Sequence, residues 1–141
     1  MKTFTLAEAN GLLPEVKAVA VELQRQVDEL RQVMADLEGA GSNPPRSSLE
    51  KYNKNVEQEF LASAIKQLAE YLESLGCQLK GVEPVLVDFP AVYQGETILL
   101  CWRAGEDRIR FWHDLQSGFA GRRPVEDLLD DETIIGHMPI A

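Results

Sequence analysis

The chain has 141 residues, 45% hydrophobic and 26% charged, which is room for one compact domain with a substantial core. Its 23 acidic side chains outnumber 14 basic ones, and the resulting net charge of −9 argues against a broad nucleic-acid or anionic-membrane footprint. No apolar run approaches the ~20 residues of a membrane span, and two cysteines, Cys77 and Cys101, make neither a disulfide framework nor a cysteine-built zinc site.

Thr5 followed three residues later by Glu8 has the capping-box spacing, so a helix is expected to begin there. Asn10-Gly11 reads as an interruption, with Pro14 restarting the helix in its first turn, where a missing N–H costs nothing. The apolar positions then run Leu13, Val16, Ala20, Leu23, Val27, Leu30, Met34 and Leu37. Their steps of three and four make the seam of a helix lying along a partner helix. Val19, Val21 and Val33 widen that stripe toward a further neighbour. Gly39 to Ser48, with two glycines, two prolines, three serines and an asparagine, reads as a flexible loop.

Ser47 and Glu50 repeat the capping-box spacing and open a second long helix. Leu49, Tyr52, Val56 and Phe60 run down one side of it, then Leu61, Ile65, Leu68, Leu72 and Leu75 take over, a slip that suggests a change of neighbour near Phe60. Gly76 ends the helix as a left-handed residue. A helix of about 25 residues rises roughly 37 Å, longer than a domain of this size is wide. The hairpin tip near Leu37 and Leu49 is therefore expected to protrude and to find a partner, most simply a second copy.

Past Gly81 the period changes. Val85-Leu86-Val87-Asp88-Phe89 reads as a strand halted by Pro90, and Tyr93-Gln94-Gly95-Glu96 as a tight turn. Thr97 to Arg103 and Arg108 to His113 form the best hairpin. A loop over 104–107 would pair Trp102 with Ile109, Leu100 with Phe111 and Ile98 with His113. That register turns an apolar face ending at His113 toward the helices and leaves Leu99, Cys101, Arg103, Arg108, Arg110 and Trp112 on the other face. Cys101 reads as a small sheet residue. Val125 to Ile135 reads as a short amphipathic strap over the basic sheet face, or else as a frayed acidic tail.

Several of these segments together resemble a known family. Phe4-Thr5-Leu6-Ala7-Glu8-Ala9-Asn10 with Leu12-Leu13-Pro14, the Leu86-Val87-Asp88-Phe89-Pro90 strand, Leu100-Cys101-Trp102-Arg103 with Gly105-Glu106, Trp112-His113, and Gly118-Phe119-Ala120-Gly121-Arg122 are similar to the bacterial family catalogued as domain of unknown function 2203. The resemblance spans residues 4–124 and implies no established activity. The chain departs from it at Val85, where a glycine is expected, and in the acidic extension past Pro124.

His113 with Asp114 offers a general base and an orienting carboxylate, but neighbours on a strand point to opposite faces, so Asp114 reads equally as a cap on the turn that follows. A metal site would need a carboxylate such as Asp88, Glu106 or Asp107 to converge on His113, and His137 has no fixed spacing to it. Gly118 to Arg123 has the glycines and arginines of an anion cradle. The plainer reading is a turn whose Phe119 plugs the core, with Arg122 paired to Asp88 or Glu106. Trp102 reads as core, and Trp112, outward beside Arg103 and Arg110, as a binding contact.

The expected architecture is α+β: a long antiparallel, coiled-coil-like helical hairpin packed at its base on an antiparallel sheet of three to four strands. It forms a single domain over 1–124, with helices over about 5–38 and 47–75, a flexible loop over 39–48, a sheet over about 85–113, and an acidic tail over 125–141. The expected function is that of a non-enzymatic cytoplasmic binding module, self-associating through its helices as a homodimer or higher oligomer. Arg103, Arg110, Trp112, His113, Arg122 and Arg123 would meet a small anionic or aromatic ligand or an acidic protein segment. No metal or cofactor, nucleic acid or membrane is expected. The alternative is a small enzyme using His113 as acid/base, with an arginine and a carboxylate from Asp88, Glu106 or Asp114.

Overall fold

A computed structural model of the chain describes residues 1–136. Two long antiparallel helices, α1 (Leu6–Leu37) and α2 (Ser48–Ser74), pack together and against one face of a five-stranded antiparallel sheet. The strands are β1 (Gln78–Val82), β2 (Val85–Tyr93), β3 (Glu96–Arg103), β4 (Phe111–His113) and β5 (Arg123–Pro124), in that spatial order. The sheet therefore has five strands rather than three or four. The short β1 and β5, which carry no apolar alternation, are the two that pattern reading overlooks.

Thr5 caps α1 as its spacing predicts, accepting from the Glu8 N–H while the Glu8 carboxylate accepts from the Thr5 N–H. The break expected at Asn10-Gly11 is absent, because α1 runs through Pro14 unbroken. Asn10 instead faces the sheet, where its Oδ1 accepts from the Ile109 backbone N–H at 2.8 Å.

The slip in α2 is two separate stripes rather than a change of neighbour. Its inward stripe continues backward from Leu72, Leu68, Ile65 and Leu61 to Gln58 and Lys54, whose polarity hides it from a hydrophobic count. Lys54 Nζ reaches the buried Asp36 carboxylate at 3.0 Å. The Asn43 N–H also donates to Asp36, tying the 39–48 loop to the tip of α1. These two partners, the Asn43 N–H foremost, hold the Asp36 carboxyl below the usual carboxylate range. Leu49, Tyr52, Val56 and Phe60, expected against α1, point outward and are 48–71% exposed.

The inner sheet face carries Val85, Val87, Phe89 and Ala91 from β2, Ile98, Leu100 and Trp102 from β3, and Trp112 from β4. It packs on Leu13, Val16, Leu23 and Leu72. β2 passes through Pro90, which pairs with Leu99, and Pro90 offers its carbonyl to the Phe4 N–H at 2.7 Å. Residues of a strand present N–H and C=O to the same side, so the missing proline N–H falls away from β3 and costs no ladder bond. The segment after Pro124 is docked as far as Gly136. Val125, Leu128 and Ile134 join the same core, and Tyr93 Oη donates to Asp130 at 3.0 Å. It lies on the helix side of β2 rather than across the outer sheet face. Residues 137–141, including His137, lie outside the described residues.

Candidate functional site

The decisive feature is the register of β4. Leu99 pairs with His113, Leu100 with Trp112 and Cys101 with Phe111, one residue away from the expected pairing. The reason lies in how the β3–β4 connection is anchored. Trp102 Nε1 donates to the Glu106 carbonyl, the Arg103 N–H donates to the Glu106 carboxylate, and the Ile109 N–H is taken by Asn10, so the connection bulges from 104 to 110 before the ladder resumes. A one-residue slip exchanges the faces of every side chain on the strand.

Trp112 therefore turns inward, 7% exposed, against Tyr93, and is not the outward contact expected of it. His113 turns to the outer face. Trp112 does line a cleft of about 400 Å³ with Tyr93, Asp114 and Arg123, and the Arg123 guanidinium lies over its ring at 5.1 Å.

The six residues expected to share one surface are dispersed. Arg103 is exposed and Arg110 pairs with Asp107 at 2.9 Å. Arg122 pairs with Glu106 at 2.7 Å and is sandwiched between the rings of Phe111 and Phe119, at 4.2 and 4.7 Å. Its partner is thus Glu106, as one of the two plainer alternatives had it. Phe119 does not plug the core; it lies 42% exposed over the outer face. Of the carboxylates considered as partners for His113, Glu106 is committed to Arg122. Asp114 caps its own turn, accepting from the Gln116 and Ser117 N–H groups and the Ser117 hydroxyl.

Asp88 does converge on His113. On the outer face Asp88 of β2 stands directly across from Cys101 of β3, and His113 of β4 completes the group. His113 Nε2 lies 3.1 Å from Asp88 Oδ2, and both side chains are 3% exposed. One ligand atom from each of Asp88, Cys101 and His113 lies within 4.8 Å of the others. The three form part of the floor of a pocket of about 290 Å³, also lined by Lys80, Leu86, Leu99 and, from the 114–122 loop, Leu115, Gln116, Gly118 and Phe119.

Proton positions in this group follow from its acceptors. The Asp114 carbonyl, 2.7 Å from His113 Nδ1, can only accept, so Nδ1 carries a proton. One further proton lies between Nε2 and Asp88 Oδ2. Asp88 Oδ1 is sealed from solvent and accepts from no N–H or O–H group among the described residues; the only hydrogen-bonding group beside this carboxylate apart from His113 is the Cys101 thiol, a weak donor. Burial first, then the neighbouring Asp88 charge, pushes the Cys101 thiol up to about 12. Both ring nitrogens of the histidine are thus engaged, and the thiol is held protonated. What the group does offer is an unanswered carboxylate oxygen, which calls for a donor or a cation.

Cys101 is the member of this group that pattern reading passes over. A signal for it existed: the two-residue turn at Gln94-Gly95, both with positive φ, sets Tyr93 against Glu96 and by counting back sets Asp88 against Cys101.

No curated protein and no solved structure matches the chain. Among the described residues, no helix is long and apolar enough to cross a membrane. A family model described as an uncharacterised conserved protein, DUF2203, matches residues 2–125, nearly the whole chain. The resemblance drawn from the opening Phe4–Pro14 segment and the Trp112–Arg122 region is thereby accounted for: the chain belongs to the DUF2203 family.

Proposed function

We propose that this protein is a non-enzymatic binding module whose recognition site is the outer-face pocket over Asp88, Cys101 and His113. The helical hairpin acts as the scaffold that holds the sheet rigid beneath it. The observation that carries the reading is the unanswered Asp88 Oδ1, because leaving a buried acceptor without a donor costs about 1–3 kcal/mol. A bound group that is cationic or donates hydrogen bonds relieves that cost. The ligand class shifts accordingly, from the anion expected of an arginine surface to a group with a positive or donor end. An acid–base enzyme built on His113 has less support, since Asp88 and the Asp114 carbonyl engage both ring nitrogens.

The test is native mass spectrometry of the protein purified from its own host. A stoichiometric retained species in the wild type, lost in a folded Asp88→Asn variant, is the expected result. A bare chain in the wild type would refute the reading.

Self-association belongs to the same proposal, now through α2 alone and with a second copy as the occupant. Leu49, Tyr52, Val56 and Phe60 form an exposed apolar stripe, bordered on one side by Asn53 and Glu57 and on the other by Ser48 and Glu59. Light scattering at micromolar concentration is expected to give twice the chain mass, and the chain mass for Phe60→Glu. A wild-type monomer would remove this part of the proposal.

A further inference from the structure

The geometry points to a borderline divalent transition ion, zinc in character, held by Asp88, Cys101 and His113 as the cation this pocket takes. This inference rests on the reading of the outer-face pocket as the binding site and names the occupant of its deepest part. The donor set is one carboxylate oxygen, one sulfur and one imidazole nitrogen, all within 4.8 Å of one another. Zinc binds such donors at about 2.0–2.3 Å, which sets tetrahedral ligand atoms roughly 3.3–3.8 Å apart. The Asp88 to His113 separation of 3.1 Å is already close to that spacing. Sulfur and imidazole together select against magnesium and calcium, which take oxygen ligands.

Two features beyond the composition and spacing of the donor set support the assignment. The Asp114 carbonyl fixes the His113 Nδ1 proton, leaving Nε2 as the nitrogen facing the cluster, which is the outer-shell arrangement that orients metal-binding histidines. Asp88 Oδ1, buried and unpartnered, is an independent sign that the group lacks a positive partner.

The charges balance. On binding, the ion takes the place of the proton held between Nε2 and Oδ2 and of the thiol proton. Two protons leave for one divalent cation, and the site of carboxylate, thiolate and neutral imidazole is electroneutral with it. Three protein ligands leave a fourth position toward the 290 Å³ pocket, where water or a small ligand donor fits.

The experiment uses the full chain, stripped with a chelator and titrated with Co²⁺ alone. Four-coordinate cobalt with a thiolate ligand gives intense visible d–d bands and a near-ultraviolet sulfur-to-metal charge-transfer band. Both are expected to saturate at one Co²⁺ per chain. Cys101→Ser should abolish the charge-transfer band, and His113→Ala should weaken binding at least tenfold. A folded wild type showing only the weak spectrum of hexa-aquo cobalt overturns the inference without recourse to any variant. An undiminished charge-transfer band in Cys101→Ser also overturns it. Because the host-purified protein is weighed separately, a retained organic species with no metal would sink the ion assignment while leaving the pocket reading in place.

Discussion

The bond from the Ile109 N–H to Asn10 Oδ1 ties α1 to the β3–β4 connection and sets the register that turns His113 outward. Replacing Asn10 with alanine removes the only acceptor this N–H has among the described residues, and Ile109 is 1% exposed, so water cannot easily replace it. An unsatisfied buried N–H costs about 1–3 kcal/mol. Alanine returns about 0.5 kcal/mol through its higher helix propensity. The net loss is about 0.5–2.5 kcal/mol, read as a lower urea midpoint with an unchanged slope. Asn10→Asp keeps an acceptor near the helix N-terminus and should stay within about 0.5 kcal/mol of wild type. Amide exchange supplies the site-specific readout: Ile109 should be protected in the wild type and in Asn10→Asp, and unprotected in Asn10→Ala. Wild-type stability and continued Ile109 protection in Asn10→Ala would refute the account of the register.

Two further outcomes follow from the titrating groups. The Asp114 carboxyl is held below the usual carboxylate range by the Ser117 and Gln116 N–H groups and the Ser117 hydroxyl. Its contribution is therefore present above its unfolded value of ~3.9 and is lost as pH falls through the lower folded value. Asp114→Asn should flatten the stability–pH curve on that acid side, and an unchanged curve would show that this turn contributes nothing. Burial pushes the Cys77 thiol up to about 11 and the Cys101 thiol up to about 12, so neither should react with Ellman's reagent at pH 8 until the chain unfolds. Rapid reaction of the folded protein would contradict their burial.

The helical hairpin was legible because its signals are local. Thr5 with Glu8 and Ser47 with Glu50 cap their helices within one turn, and the Leu13 to Val27 seam repeats at helical spacing. The inward stripe of α2 was legible from Leu61 to Leu75 but not before it, because its first two members, Lys54 and Gln58, are polar, and Lys54 is drawn in by Asp36, eighteen residues earlier. The outer-face site was partly legible. Asp88 and His113 stood among the residues weighed, yet their convergence depends on a strand register set by Asn10, 99 residues before Ile109 in the chain. No period within β3 or β4 carries that information. Reading alternation with the wrong register assigned Trp112 and His113 to each other's faces, and with them the location of the binding surface.

The central claim concerns one imidazole, and nitrogen-resolved NMR of the histidine rings tests it most directly. The His113 resonances can be assigned by comparison with His137→Gln. Without metal, Nδ1 should carry a proton hydrogen-bonded to the Asp114 carbonyl, with Nε2 facing Asp88. One equivalent of Zn²⁺ should move the Nε2 resonance to a metal-bound position while Nδ1 keeps its proton. A His113 ring whose two nitrogens are unmoved by Zn²⁺ would contradict the account.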